Sequence, residues 1–264
     1  LFNKRIITRS NSSPSGWSNN FFKNLIFKVF FRYPDRIIVN SKNFQKEFLN
    51  RFNINTKMIY NPLNKLEILK KAKKKLNDNF FSKKNYLKII NVSRFTEQKD
   101  QLTLLKAFKI VNELTPSKLL LIGYGTKKFE ILDFIKKNNL QKNVKLIDFT
   151  FNPYKYIAKS DLFVLTSLYE GLPNVLLESI VLKKFVISSN CPTGPSEILK
   201  NGKYGELFPV KNYKKLSKQI LMYAKNKRRY DKKVFEAHKS LKRFDYNKNC
   251  YSYLIEVKKL MEIN

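Results

Sequence analysis

Residues 161–178 read DLFVLTSLYEGLPNVLLE. The opening Asp161-Leu-Phe-Val-Leu-Thr166 is a short apolar run of the kind a covered β-strand carries, and Val175, Leu176, Leu177 and Ile180 follow with the spacing of a buried helix. Gly171-Leu172-Pro173-Asn174 lies between them as a turn signal. Glu170 precedes that turn and Glu178 follows eight positions later, in a chain with only 20 acidic residues. Ligands of open α/β sheets bind outside the carboxyl ends of the strands, where strand gives way to helix. The stretch therefore points at once to an α/β fold and to a site.

The same alternation extends outward in both directions. Residues 87–92, 119–122, 144–147, 185–188 and 205–208 read as strands, and residues 100–114, 129–138, 154–158 and 195–199 as helices. Towards the N-terminus, residues 4–8, 36–40 and 58–60 read as strands, and residues 20–31 as an apolar helix. Ser41 caps a second helix that runs to Phe52, with Phe44, Phe48 and Leu49 on one face. Repeated strand–helix alternation implies parallel, doubly wound sheets. Asn61-Pro62 is a turn signal, and the lysine-rich segment beyond it reads as a connector, which places a boundary near residues 61–64. No internal repeat is evident.

A chain of 264 residues with 43% hydrophobic residues is long enough for two domains and apolar enough to bury cores. Cys191 and Cys250 are far apart and suggest neither a disulfide nor a metal framework; with His238 as the single histidine, a zinc site is disfavoured. A reducing compartment follows. No window approaches the roughly 18 consecutive apolar residues of a membrane span; the nearest, residues 21–31, is broken by Lys23, Asn24 and Lys28. The chain opens at Leu1 without signal-peptide architecture and reads as starting within a longer protein.

The formal charge of +33 invites a nucleic-acid or membrane reading. Lys, Asn, Ile, Phe and Tyr are all abundant, however, as AT-rich codons would make them, and the runs at residues 70–75 (KKAKKK) and 225–229 (KNKRR) read first as solvated faces. If either is functional, anionic lipid is the favoured partner.

Three loops at strand ends carry the residues suited to chemistry. In residues 92–100, VSRFTEQKD, Arg94 offers a planar bidentate fork and Lys99 a compact charge, together fitted to a diphosphate; alone they read equally as surface cations. Gly123-Tyr124-Gly125 permits close backbone approach to a ligand, or simply a tight turn. In the opening stretch, Gly171 and Asn174 can present backbone N–H groups to phosphate, while Glu170 and Glu178 suit sugar hydroxyls. One turn offering both kinds of group is what a nucleotide-sugar needs. No Walker-type phosphate loop and no GxSxG elbow occurs.

As a set, VSRFTEQKD, Gly123-Tyr-Gly125, the Glu170–x7–Glu178 pair and GPSEIL at residues 194–199 resemble the donor-binding half of the GT-B glycosyltransferases of family 4. The ordered match covers about residues 87–210, with looser matches in PDRIIVNS (34–41) and IYNP (59–62). The resemblance implies an α/β fold of two Rossmann-like domains with parallel sheets facing a cleft, the N-terminal one incomplete. Residues 1–62 would be the C-terminal part of the acceptor-side domain. Residues 63–240 would be the donor-binding domain, with a basic connector at 63–85, and residues 241–264 a closing helix returning to the first domain.

It further implies a retaining transferase that takes a nucleoside-diphosphate sugar and needs no metal or other cofactor. Arg94 and Lys99 would hold the diphosphate and Glu170 would contact the transferred sugar. Gly123 and the segment Gly171, Leu172, Pro173, Asn174 and Val175 would cradle the donor, Glu178 would bind the ribose, and Phe149 would stand where the base is held. A glycine-rich loop and, in many members, a catalytic-site histidine belong to the family's first domain. Neither is in this sequence, where residues 8–11 (TRSN) fall at the corresponding position.

The leading expectation is thus a cytoplasmic glycosyltransferase, peripheral on the inner face of the membrane. It would act on a glycan or lipid-linked acceptor in surface polysaccharide synthesis. The alternatives are a nucleotide-sugar binding fragment lacking activity, a GT-B-type epimerase, and a basic nucleic-acid binder, which leaves the paired glutamates unexplained.

Overall fold

A computed structural model describes residues 4–12, 14–17, 20–76, 78–82 and 85–262. The end of the expected connector at residues 83–84 and both chain termini lie outside the described residues. The first sheet is three-stranded in the order β1 (Ile7–Ser10), β2 (Arg36–Val39), β3 (Lys57–Met58), and both of its pairings are parallel. The second has six strands: β4 (Leu87–Val92), β5 (Ser117–Ile122), β6 (Val144–Ile147), β7 (Leu162–Leu165), β8 (Phe185–Ser189) and β9 (Glu206–Phe208). Their spatial order is β6-β5-β4-β7-β8-β9, again all parallel.

Alternate residues of the central strands explain why those strands are apolar throughout. Ile89, Leu119, Leu121, Leu162 and Val164 join one buried cluster, and Ile90, Leu120, Ile122, Phe163 and Leu165 join a second on the opposite face. Helices Gln101–Leu114 and Tyr213–Lys225 cover the first face; helix Asn174–Val181 and Phe244 cover the other. With both faces covered, no polar alternation can survive along the strand. Strand order reverses at the β4–β7 pair, so the loops leaving these two strands diverge and open a crevice at their carboxyl ends.

The first sheet rests on a phenylalanine cluster. Helix Lys42–Phe52 is capped by Ser41, whose Oγ accepts from Phe44 N–H at 3.1 Å, and it buries Phe44, Phe48 and Phe52. The sequence places Leu49 on this face, but Leu49 stands 45% exposed and Phe52 takes the inward position. The i, i+4, i+8 spacing of the three phenylalanines fixes the rotation. Helix Phe21–Phe30 has no buried residue. Phe27 and Phe31 lean on the cluster, Phe31 at 4.9 Å from the Phe48 ring, while Phe21, Phe22, Leu25, Ile26, Val29 and Phe30 are exposed.

Two strands of chain link the sheets and meet. Leu63 N–H donates to Phe244 O at 3.0 Å, Leu63 forms a bridge with Asp245, and the Tyr60 and Phe244 rings stand 4.8 Å apart. The final helix, Tyr246–Met261, then reaches the first sheet. Its Glu256, 3% exposed, is held by Arg36 at 3.4 Å and Lys57 at 3.3 Å, at the starts of β2 and β3. Helix Asp231–Ser240, which carries His238, and helix Tyr213–Lys225 were not delimited by the sequence patterns above.

Candidate functional site

Side-chain hydrogen bonds join the loops that leave β4 and β7. Buried Asn91, on β4, donates to Val164 O on β7 at 2.8 Å and accepts from Ser93 Oγ at 2.6 Å. Gln101 Nε2 donates to Ser93 Oγ at 2.9 Å and Arg94 O at 2.8 Å. Across the gap, Thr166 Oγ1 donates to Lys99 O at 2.9 Å, Leu168 N–H to Gln98 O at 2.8 Å, and Gln98 Nε2 to Tyr169 O at 2.9 Å. The two loops are thereby held as one platform.

Lys99 and Glu170 meet on that platform. Lys99 Nζ stands 2.5 Å from Glu170 Oε1, which also accepts from Ser167 Oγ at 2.6 Å. Glu170 is 6% exposed, and removing one member of so enclosed a pair strands the other charge. Lys99 was expected to face a diphosphate beside Arg94; in the described structure it lines the cleft while bonded to the acid. Arg94 is exposed, lines the same cleft, and has no acidic partner among the described residues.

The glycines explain how tightly the loops pack. A Cβ on Gly123 would stand 1.9 Å from Ser93 O, so this glycine admits the Arg94 loop rather than only a ligand. A Cβ on Gly171 would stand 1.9 Å from Asn11 O, and Gly171 is bridged to Ser12. The turn at Gly171 is therefore already seated against the segment that follows β1.

The cleft between the sheets measures about 440 Å³. Arg9, Asn11, Asn40 and Asn61 line it from the first sheet's side, and Glu170, Leu172, Pro173, Asn174 and Val175 from the second's. Asn61 bridges the two: its Oδ1 accepts from Arg9 at 2.6 Å, and its Nδ2 donates to Asn174 Oδ1 at 2.5 Å. Helix Asn174–Val181 begins after Pro173 with no side-chain cap, which leaves its positive end towards this space.

A second cavity of about 180 Å³ adjoins it, with Arg94 in the rim of both. Val92, Ile122, Tyr124, Phe149 and Pro153 make it apolar, and the Tyr124 and Phe149 rings meet edge-on at 6.1 Å. Both rings are more than half exposed, unusual for large aromatics without a partner surface. Tyr124 was not singled out from sequence, although an exposed aromatic between two glycines is the signal that would have found it.

Glu178 lies apart from both linings. Its carboxyl accepts from Tyr154 OH at 3.4 Å, and burial pushes it up from 4.5 to about 7, an effect the Tyr154 hydrogen bond only partly offsets. Burial, with the Glu178 charge, pushes the Tyr154 hydroxyl up to about 12. Cys191, near Glu170, is likewise raised to about 12 by burial first and the carboxylate second. His238 is lowered by burial and lies on helix Asp231–Ser240, outside the cleft.

The chain is similar to known proteins in sequence and in fold. The chain is 40% identical over 182 residues to an uncharacterized glycosyltransferase of Methanocaldococcus jannaschii, a match covering 66% of the chain and 44% of that protein. It is 29% identical over 264 residues to N-acetylgalactosamine-N,N'-diacetylbacillosaminyl-diphospho-undecaprenol 4-alpha-N-acetylgalactosaminyltransferase of Campylobacter jejuni, covering 95% of the chain and 70% of that enzyme. Among solved structures, Anabaena HepE in complex with UDP-glucose superposes with a TM-score of 0.82 at 20% identity, over 97% of this chain and 72% of that one. The crystal structure of TarM does so at 0.77 and 21%, over 96% of this chain but only half of TarM. Residues 72–248, which hold the platform, the smaller cavity, the second sheet and that sheet's side of the larger cleft, match the family model of glycosyl transferases group 1. The chain belongs to the group 1 glycosyl transferases and has their GT-B fold.

Proposed function

We propose that the protein is a retaining glycosyltransferase of family 4. It would move a sugar from a nucleoside-diphosphate sugar to a glycan or lipid-linked acceptor in surface polysaccharide synthesis. The observation that carries this reading is the single platform at the β4–β7 crevice, where the Arg94 guanidinium, the Lys99–Glu170 pair and the exposed aromatic cavity adjoin. Arg94 binds the diphosphate. Lys99 keeps donors free beyond the one that Glu170 accepts, and turns these on the same phosphates. As the bond from the anomeric carbon to the diphosphate breaks, these cations stabilise the charge left on the leaving group, so no metal is needed.

Glu170, held by Lys99 and Ser167, accepts from hydroxyls of the transferred sugar. Leu172, Pro173 and Val175 with the Gly171 and Asn174 backbone cradle it, Phe149 and Tyr124 take the base, and Glu178, set back from both linings on the helix that Asn174 opens, is the acid assigned to the ribose. Residues 1–62 and 63–240 form the two domains, and residues 241–264 return to the first. The C. jejuni relative is named for a diphospho-undecaprenol acceptor, which supports a lipid-linked one here.

The membrane part of the proposal draws on helix Phe21–Phe30. Its exposed apolar face is flanked by Lys23 on one edge and by Lys28 and Arg32 on the other, an arrangement suited to lying in an anionic interface. No helix among the described residues is long and apolar enough to cross a membrane.

Replacing Arg94 by Ala or Glu170 by Gln is expected to lower the rate of sugar transfer by about 100-fold or more, measured with the nucleotide-sugar that the protein turns over; unchanged transfer in both would remove the mechanism. In vesicle co-sedimentation, Phe22→Asp with Ile26→Asp is expected to abolish binding to phosphatidylglycerol vesicles that the unchanged protein shows, and equal binding would contradict the membrane contact.

Glu178 yields a pH prediction. Because its folded value lies above 4.5, the folded state holds a proton that the unfolded chain gives up, so stability falls as pH rises from about 4.5 through about 7. Glu178→Gln is expected to flatten that fall in urea titrations, by about 1.4 kcal/mol for each unit of the shift at most; an unaltered slope would sink the assignment.

A further inference from the structure

Glu197 belongs to GPSEIL and stands in the first turn of the short helix Pro195–Ile198, where an acid ordinarily serves its own helix's N-terminus. The carboxylate is bonded elsewhere. Its Oε1 accepts from Lys42 N–H at 3.1 Å and from Tyr60 OH at 2.7 Å, and its Oε2 accepts from Asn43 N–H at 3.2 Å. Lys42 and Asn43 open helix Lys42–Phe52, whose next N–H, on Phe44, is taken by Ser41. The free donors at this helix start are thus satisfied by one local hydroxyl and by one carboxylate 154 and 155 residues away in the chain. That carboxylate also sits at the positive end of the helix.

The segment bearing Glu197 is bound just as firmly to the Glu170 loop. Thr193 Oγ1 donates to Glu170 O at 2.5 Å. Gly194 has φ 66°, and a Cβ there would stand 2.0 Å from Gly171 O and 2.8 Å from Pro173 Cδ. From the far side, Arg243 donates to Ile198 O at 2.8 Å. Glu197 therefore has the platform loop on one side and, on the other, the helix of the first sheet together with Tyr60 from the inter-sheet crossing.

We propose that Glu197 is a positioning residue that docks the Glu170–Pro173 loop onto the first sheet's helix and so sets how the two halves of the cleft face each other. Its catalytic consequence rests on the transferase reading above; the docking itself does not. The role demands a carboxylate. Three donors converge on two acceptor oxygens, and a glutamine would turn its own N–H₂ towards one of them. None of the three donors contacts the cavity that takes the base, so nucleotide binding is independent of the dock.

The test measures distance and kinetics in the same variants. Spin labels at Asn50→Cys and Lys203→Cys, in a Cys250→Ser background, report the separation of the two halves. Glu197→Ala and Glu197→Gln are expected to broaden and lengthen that distribution. UDP and GDP, titrated separately, should bind within about twofold of the unchanged protein, and kcat should fall at least about tenfold at a nearly constant donor KM. Tyr60→Phe, which removes one donor and leaves both backbone N–H groups bonded, is expected to give a smaller shift in the same direction, and it serves if the Glu197 variants do not fold. Distance distributions identical to the unchanged protein in the Glu197 variants, or in Tyr60→Phe if only that folds, would overturn the docking. A lengthened distance with unaltered kcat would overturn the positioning role. An unchanged protein that transfers no sugar would defeat the transferase reading, with the distance measurement still deciding the dock.

Discussion

The adjacency of β4 and β7 is the constraint from which the site follows. Because the strand order reverses there, two loops far apart in sequence leave the sheet side by side, and helices cannot close the space between them. The chain ties these loops with backbone and amide hydrogen bonds before any charged group is added. Only on that fixed footing can Lys99 and Glu170 be held 2.5 Å apart with little water, a geometry whose desolvation would otherwise cost more than the attraction returns.

This arrangement also resolves the contrast between a strongly basic chain and a crevice that carries acids. The +33 charge is carried by a lysine-rich chain, whereas inside the crevice the Lys99 charge is matched by Glu170, Arg9 is bonded to the neutral Asn61, and Arg94 has no acidic partner among the described residues. A generic polyanion groove would leave its lysines unpaired. Here one cation is partnered with an acid suited to hydroxyls, and apolar rings adjoin it, which is the arrangement the proposed nucleotide-sugar reading rests on.

Much of this was legible in the sequence because the informative features are local. Fully apolar runs such as residues 119–122 announce covered strands, and the turn between Glu170 and Glu178 announces a strand-to-helix corner. The strand bounds at Leu87–Val92 and Val144–Ile147 match the pattern residue for residue. What escaped depends on contacts that no local window contains. The Lys99–Glu170 pair spans 71 residues and the Glu197 cap 155, and neither has a periodicity to betray it. Gly123 was readable as a site of close approach, yet only the folded chain shows that Ser93 O is what approaches. Leu49 and Phe52 are both apolar on one helix; Phe52 continues the row of Phe44 and Phe48 and packs on Phe31 at 5.4 Å, while Leu49 lies off that row.

Calorimetric titration of the folded chain with UDP and with GDP, each in EDTA, tests most directly whether the β4–β7 crevice is a metal-independent nucleotide site. Saturable one-to-one binding of one of the two is the predicted result, with Phe149→Ala weakening it and Glu197→Ala leaving it nearly unchanged. Heat that appears only when a divalent cation is added, or none with either nucleotide, would contradict it.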